Sequence, residues 1–96
     1  MTQEQAERVA SYLQHALEAI ARLARYVQGG EAEFLRDEKT QDAVIRNLEI
    51  LGEAARNVER VDPALVAAHA EIPWKVVAGM RNRLSHGYFE VDLDVV

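Results

Sequence analysis

The sequence predicts an all-α fold, an up-and-down bundle of about four to five helices. Apolar residues recur every three to four positions over residues 6–27 and 44–58, as on one face of an α-helix. The 96 residues include only five glycines and two prolines, so few positions interrupt a helix. The one alternating stretch is the terminal VDLDVV, which is too short and isolated to form a sheet.

The first predicted helix is long and amphipathic. Thr2 followed by Gln5 is typical of a capping box, and Gly29 and Gly30 supply the end of the helix. The face predicted to be buried comprises Ala6, Val9, Ala10, Leu13, Ala16, Leu17, Ile20, Leu23, Ala24 and Val27. The opposite face is predicted to meet water or a partner, and it carries Glu4, Glu7, Arg8, Ser11, Glu18, Arg22 and Arg25.

A second long helix follows a short apolar break at Phe34 and Leu35. Asp37 is its predicted N-cap. Its apolar stripe comprises Val44, Leu48, Leu51, Ala55 and Val58. Ile45 and Ile50 lie off this stripe and widen the buried arc, so we expect this helix to contact more than the first helix. A subunit interface is one candidate for the surplus.

Two shorter helices complete the prediction. Asp62 and Pro63 form a cap and first-turn pair for a helix over residues 64–70. The last helix begins near Pro73, directs Trp74, Val77, Met80 and Leu84 inward, and ends near His86, where Gly87 permits a left-handed turn. Asp92 is typical of the N-cap of a further helix, but only four residues follow it. We therefore expect one domain, residues 1–96, that lacks a C-terminal helix.

Composition and charge narrow the function classes. The sequence has no cysteine, no apolar run of about 18 residues and a polar N-terminus, which favours a cytoplasmic protein. Its net charge of −5 argues against a protein that coats nucleic acid through a broad basic surface. Residues 72–89 nevertheless contain Lys75, Arg81 and Arg83 and no acidic residue, a distribution that suits a focused anion site.

Several familiar sites are absent from the sequence pattern. His15, His69 and His86 lack the spacing and acidic companions of a helical metal site, so no metal is predicted, and His15 and His69 are expected to be ordinary helix residues. Gly29 and Gly30 do not follow a strand, as a phosphate-binding loop requires. The two serines support no hydrolase triad.

The segment RNRLSHGY, residues 81–88, admits two interpretations. In the structural one, Arg81 and Arg83 complement the negative end of the last helix, His86 caps its carbonyls and Tyr88 packs on the core. In the functional one, the segment forms a catalytic cluster. Five helical steps place Arg81 and His86 about 7.5 Å apart along the axis and about 140° apart around it, so one helix cannot direct both at one atom.

A two-fold dimer resolves this geometry, because two helix ends can then surround one cleft with two arginines and two histidines. Asn82 lies four residues before His86, on the same helix face, where it can orient the imidazole. This arrangement suits metal-free RNA cleavage. A neutral histidine accepts the proton of the 2′-hydroxyl while an arginine stabilises the charge that develops on the phosphate.

Arg81, His86 and Tyr88 also match the RX4HXY motif of HepT-like toxins of the HEPN superfamily, the DUF86 group. The blocks FLRDEKTQDAVIRNLEILGEAARNV, IPWK and AGMRNRLSHGYFEVDLDVV resemble that family in the same order, over residues 31–96. The resemblance implies a HEPN-like homodimer that acts as a metal-independent ribonuclease toxin on tRNA or mRNA. It implies that Arg81 and His86 are the catalytic pair.

The resemblance also implies a cognate MntA-type nucleotidyltransferase antitoxin. That partner uses ATP to attach AMP to the motif tyrosine, here Tyr88, while the chain itself needs no cofactor. Family members usually continue past DLDVV into a further helix. Arg46, Asn47 and Glu53 lie in family-like sequence, either as polar groups of the cleft or in helix-surface or interhelix ion pairs. The alternative to an enzyme is a non-catalytic nucleotide- or partner-binding helical subunit of a nucleotidyltransferase complex, which the net charge of −5 favours slightly.

Overall fold

The computed structural model describes residues 1–79, in which all regular structure is helical. The elements are α1 (Gln3–Tyr26), α2 (Glu31–Arg36), α3 (Glu38–Val61) and α4 (Pro63–Ala68), and residues 74–79 are helical again. No strand occurs in this part of the chain, and the predicted all-α fold is confirmed. The predicted inward positions of Met80 and Leu84, the helix end near His86 and the cap at Asp92 lie outside the described residues.

Local capping signals set the beginning of α1. The Thr2 hydroxyl accepts the Gln5 N–H at 3.1 Å, and the Gln5 side-chain oxygen accepts the Thr2 N–H at 2.9 Å, so the predicted capping box is confirmed. The helix ends at Tyr26, three residues before the predicted glycine stop. Gly30 has a φ of 86°, a backbone conformation that favours glycine, and it turns the chain into α2.

The segment around Phe34 was predicted as an apolar break, and this prediction was wrong. It forms the six-residue helix α2, with Glu31 and Glu33 in its first turn and Arg36 in its last, an arrangement that suits the helix dipole. Phe34 is buried, with 8% of its surface exposed. A helix of fewer than two turns has too few positions to show a periodic pattern, so its type could not be read from the sequence.

Asp37 joins α2 to α3 and caps α3 as predicted. Its carboxylate accepts the backbone N–H groups of Lys39 at 3.1 Å and Thr40 at 3.4 Å, and the Thr40 hydroxyl at 2.8 Å. These hydrogen bonds hold the pKa of the Asp37 carboxyl below its ordinary value, and the bond from the Thr40 hydroxyl has the largest effect. The cap therefore favours the ionised form of the side chain.

The two long helices α1 and α3 pack side by side and form the core. Arg22, late in α1, bonds to Asn47 in the first half of α3, whereas Tyr12 lies near Asn57 in the second half, so the helices run antiparallel. The buried apolar residues of the described chain are Val9, Ala19, Phe34, Val44, Ile45, Ala54, Ala55 and Val58. Ile45, predicted to widen the buried arc of α3, is only 5% exposed, whereas Ile50 is half-buried.

The predicted burial of the α1 face was wrong for part of that face. Leu17, Ile20 and Val27 are 62%, 49% and 46% exposed, respectively. The ten predicted residues belong to two adjacent seams with the same seven-residue repeat, and only the seam that contains Val9 and Leu23 faces α3. A single neighbouring helix covers one such seam, because its side chains fill one row of grooves.

The connection after α3 follows the sequence prediction closely. The Asp62 carboxylate accepts the Leu65 N–H at 3.1 Å and Pro63 occupies the first turn of α4, so both parts of the predicted cap are confirmed. The helix ends at Ala68, two residues earlier than predicted. His69 is its C-cap rather than an interior helix residue.

Candidate functional site

The predicted catalytic and modified residues, Arg81, Asn82, His86 and Tyr88, lie outside the described residues. The structure describes the segment that leads to them. Trp74 Nε1 donates to the backbone carbonyl of His69 at 3.0 Å, and the Trp74 N–H donates to the Ile72 carbonyl at 2.9 Å. These bonds fix the turn between α4 and the helical residues 74–79, and therefore the point from which the chain continues to Arg81.

A histidine and a carboxylate lie close together on this turn. His69 Nδ1 lies 3.4 Å from a carboxylate oxygen of Glu71, and both side chains are mostly exposed. The pKa of Glu71 is lowered, first by a hydrogen bond from its own backbone N–H and then by His69. Because water screens both groups, the pair contributes little to stability.

A groove between α1 and α3 is the second candidate site. It has a volume of about 430 Å³ and is lined by Tyr12, His15, Arg46, Glu49, Ile50, Glu53, Ala54 and Asn57. Within it, Arg46 Nη1 lies 3.7 Å from a Glu49 oxygen, and the Arg46 side chain is 71% exposed. The lining has one arginine and two glutamates, so the groove alone does not attract a phosphate.

The three family-like polar residues of α3 separate into two roles. Arg46 and Glu53 line the groove, whereas Asn47 is only 5% exposed and lies in the core. The Asn47 amide oxygen accepts from Arg22 Nη1 at 3.2 Å, and its amide nitrogen donates to the Ala43 carbonyl at 2.8 Å. Arg22, predicted to face water or a partner, instead joins α1 to α3.

Tyr12 and His15 were not predicted as site residues. Three positions apart on α1, they share a helix face, but the sequence does not show that this face meets Arg46 and Glu53. That meeting depends on the register of α1 against α3. Among residues 1–79 no cluster of three or more His, Cys, Asp or Glu side chains has the arrangement of a metal site. None of the described helices is both long and apolar enough to cross a membrane.

The sequence matches to known proteins cover both the described residues and residues 80–96. The family model described as "Ribonuclease HepT-like" matches residues 16–96. A protein of Thermococcus cleftensis named "Probable ribonuclease HepT" is 45% identical over 86 residues, which cover 88% of this chain and 76% of that protein.

Two proteins named "Putative RNase" are also similar. The one from Caldanaerobacter subterraneus subsp. tengcongensis is 37% identical over 86 residues, which cover 88% of this chain and 74% of that protein. The one from Methanocaldococcus jannaschii is 41% identical over 64 residues, which cover 67% of this chain and 50% of that protein. No solved structure matches the chain.

Proposed function

Because the chain belongs to the ribonuclease HepT-like family, we propose that it is a metal-independent endoribonuclease that acts as the toxin of a toxin–antitoxin system. The observation that carries the proposal is the RX4HXY motif, Arg81, His86 and Tyr88, within the matched residues 16–96. The motif lies in residues 72–89, which carry three basic and no acidic side chains in a chain of net charge −5. A local positive charge of this kind suits a single phosphodiester group.

In the proposed reaction, the neutral imidazole of His86 accepts the proton of a ribose 2′-hydroxyl, whose oxygen attacks the adjacent phosphorus. The bond from phosphorus to the leaving 5′-oxygen breaks, and a protonated group returns a proton to that oxygen. Arg81 stabilises the negative charge that grows on the phosphate. Asn82 orients the imidazole of His86.

The proposal needs two copies of the chain to place these groups together, because residues five positions apart on an ideal helix, as Arg81 and His86 are in the sequence, diverge by about 140°. We propose a homodimer whose cleft contains the pair from each copy, with one His86 as base and the other as acid. The substrate is tRNA or mRNA in the cytoplasm. A compact cleft agrees with the acidic net charge, since most of the surface then stays away from the RNA backbone.

The proposed regulation acts on Tyr88, two residues from His86. An MntA-type nucleotidyltransferase antitoxin would use ATP to form a bond between the Tyr88 phenolic oxygen and the α-phosphorus of ATP, with release of pyrophosphate. The attached AMP brings bulk and a phosphate charge to the place that the substrate phosphate must occupy. The modification therefore excludes RNA from the cleft.

The acidic net charge also supports a second candidate, a non-catalytic helical subunit that binds a nucleotide or a nucleotidyltransferase. A purified chain that cuts no RNA but binds such a partner would favour it. A single assay of RNA cleavage by the purified chain therefore distinguishes the two candidates.

Cleavage of purified tRNA and mRNA in excess chelator tests the proposal, with His86→Ala and Arg81→Ala as inactive variants. We expect each variant to lose at least a hundredfold in rate, since one general base or one charge-stabilising group contributes that much. His69→Ala is the matched control because His69 is an exposed histidine of the same chain. Unchanged cleavage by His86→Ala would refute the catalytic role.

The regulation is tested by the intact mass of the chain after incubation with ATP and the candidate nucleotidyltransferase. We expect one or more adenylate increments that map to Tyr88 and that are absent from Tyr88→Phe. Increments on another residue, or none, would contradict the proposed switch.

A further inference from the structure

The groove between α1 and α3 presents different chemistry on its two walls. Helix α1 contributes two rings three residues apart, the half-buried Tyr12 and the exposed His15. Helix α3 contributes the side chains that form hydrogen bonds, which are Arg46, Glu49, Glu53 and Asn57. Ile50 and Ala54 of α3 add apolar surface. Rings on one wall and polar groups on the other suit a flat molecule whose face stacks while its edge forms hydrogen bonds.

The size and charge of the groove restrict that molecule further. The volume of about 430 Å³ lies within the range of small-ligand sites. Because Glu49 and Glu53 outnumber Arg46, the groove disfavours a phosphate, whereas the excess of negative charge does not exclude a neutral nucleic-acid base. Since the chain belongs to the ribonuclease HepT-like family, the base of an unpaired RNA nucleotide is the flat ligand that the family assignment favours.

Arg46 and Glu49 place a hydrogen-bond donor beside an acceptor. Arg46 Nη1 lies 3.7 Å from a Glu49 carboxylate oxygen, which is longer than a hydrogen bond, and the Arg46 side chain is 71% exposed. The Arg46 guanidinium can therefore donate to a ligand while it remains close to Glu49. A base edge that carries an acceptor next to two donors matches this pair.

Guanine has such an edge. Its O6 atom is an acceptor, and the adjacent N1–H and N2–H groups are two donors side by side. The two oxygens of one carboxylate can accept from both donors while a guanidinium donates to O6. Adenine and cytosine offer one amino group beside an acceptor nitrogen, and uracil offers one N–H between two acceptors. None of these three bases gives a carboxylate two adjacent donors.

We propose that this groove binds an unpaired guanine of an RNA, with the edge of the base on Arg46 and Glu49 and its face on Tyr12, the larger and less exposed of the two rings. The inference rests on the proposed function for the choice of RNA as ligand. It gives the groove a part in selecting the substrate, whereas the bond is broken by Arg81 and His86 of the proposed reaction.

Fluorescence anisotropy with short 2′-O-methyl oligouridines tests the site, and the central base is guanine, hypoxanthine, adenine or uracil. The methyl groups block attack by the 2′-oxygen, so binding is measured without cleavage. Guanine should bind about tenfold more tightly than adenine or uracil, the discrimination typical of one bidentate base contact. Hypoxanthine lacks the N2 amino group and should bind about fivefold more weakly than guanine, the effect of one hydrogen bond. Equal binding of the four oligonucleotides would overturn the proposal.

Glu49→Gln tests whether the preference arises in the groove. The variant keeps the size of the side chain but replaces one carboxylate oxygen by a donor, so the ratio of guanine to uracil affinity should fall to about one. The ratio is the readout because the loss of a negative charge raises the affinity for every oligonucleotide alike. Glu18→Gln is the matched control, since Glu18 lies 3.8 Å from Arg22 and does not line the groove. A guanine preference that survives Glu49→Gln would overturn the proposal.

Substitutions of Tyr12 test the stacking. Tyr12→Leu keeps an apolar side chain but removes the ring, and it should weaken binding of the guanine oligonucleotide by about tenfold. Tyr12→Phe keeps the ring and should bind as the unsubstituted chain does. Far-UV circular dichroism should show the same helicity for both variants. Unchanged binding by Tyr12→Leu, or an equal loss in Tyr12→Phe, would contradict stacking on this ring.

The same variants distinguish other occupants of the groove. If the groove holds an arginine of a partner protein or of a second copy, Glu49→Gln weakens that protein contact and leaves the guanine ratio unchanged, and the proposal fails. A chain that prefers guanine but cuts no RNA would refute only the proposed ribonuclease mechanism. A chain that cuts RNA but binds the four oligonucleotides equally would refute only the guanine site.

Discussion

Substitution of Asn47 by alanine should destabilise the chain because Asn47 joins α1 to α3 from a buried position. The change removes a hydrogen bond from the charged Arg22 at 3.2 Å and a second one to the Ala43 carbonyl at 2.8 Å. Hydrogen bonds to charged groups contribute about 1.5–3 kcal/mol and neutral ones about 1 kcal/mol. The Arg22 side chain is 37% exposed, so water can replace part of the lost hydrogen bond. We therefore expect the free energy of unfolding to fall by about 2 kcal/mol, less than the sum of the two bonds.

Urea unfolding followed by circular dichroism measures this loss at one fixed protein concentration, since a dimer unfolds in a concentration-dependent way. A loss of about 2 kcal/mol corresponds to a fall of about 10 °C in Tm for a chain of this size. The matched control is Asn57→Ala. Asn57 accepts from Arg60 at 3.0 Å in an exposed pair on one helix, which contributes only about 0.3–0.5 kcal/mol.

A double-mutant cycle isolates the interhelix bond. Arg22→Ala and Asn47→Ala, measured singly and together, should show a coupling of about 1 kcal/mol. The tie between α1 and α3 would be refuted if Asn47→Ala cost no more than Asn57→Ala, or if the coupling were near zero.

Three further predictions concern the core, the cap of α3 and the turn before the motif. Val58 is only 1% exposed, and Val58→Ala should lower the free energy of unfolding in urea by about 2 kcal/mol. Val76 is 68% exposed, and the control Val76→Ala should change that free energy by less than about 0.5 kcal/mol. Equal losses for the two variants would contradict the described core. The lowered pKa of Asp37 makes its contribution to stability present at neutral pH and lost as the pH falls through and below 3.8. Asp37→Asn keeps a capping oxygen but cannot ionise, so its free energy of unfolding should fall less than that of the unsubstituted chain as the pH is lowered. An equal fall in both proteins would mean that the Asp37 carboxylate does not contribute to the acid sensitivity. Trp74→Phe removes the 3.0 Å hydrogen bond to the His69 carbonyl and should lower the free energy of unfolding by about 1 kcal/mol in the same assay. An unchanged free energy of unfolding would mean that this bond does not hold the turn.

Capping was predictable from the sequence because its signals are local. Thr2 with Gln5, Asp37, and Asp62 with Pro63 each act within three residues, and the structure confirms all three caps. Hydrophobic pattern was less informative about burial. Leu17 and Val9 are both apolar and both fit a helical repeat, and only the position of α3 determines which of their two seams is covered.

Contacts between distant residues could not be predicted. The bond from Arg22 to Asn47 joins positions 25 apart, and the groove brings Tyr12 and His15 to Arg46 through the register of two helices. The family, in contrast, was predicted from the motif and its flanking blocks, and the match over residues 16–96 confirms it. The roles of Arg81, Asn82, His86 and Tyr88 stay predictions because these residues lie outside the described chain.

The chemistry of the RNA ends left by cleavage tests the central claim most directly, because attack by the 2′-hydroxyl leaves a distinctive product. With excess chelator present, we expect a 2′,3′-cyclic phosphate on one fragment and a 5′-hydroxyl on the other, and no cleavage where the scissile nucleotide is 2′-deoxy. Fragments with a 5′-phosphate, or cleavage that persists at the 2′-deoxy position, would contradict a mechanism in which His86 takes the proton of that hydroxyl.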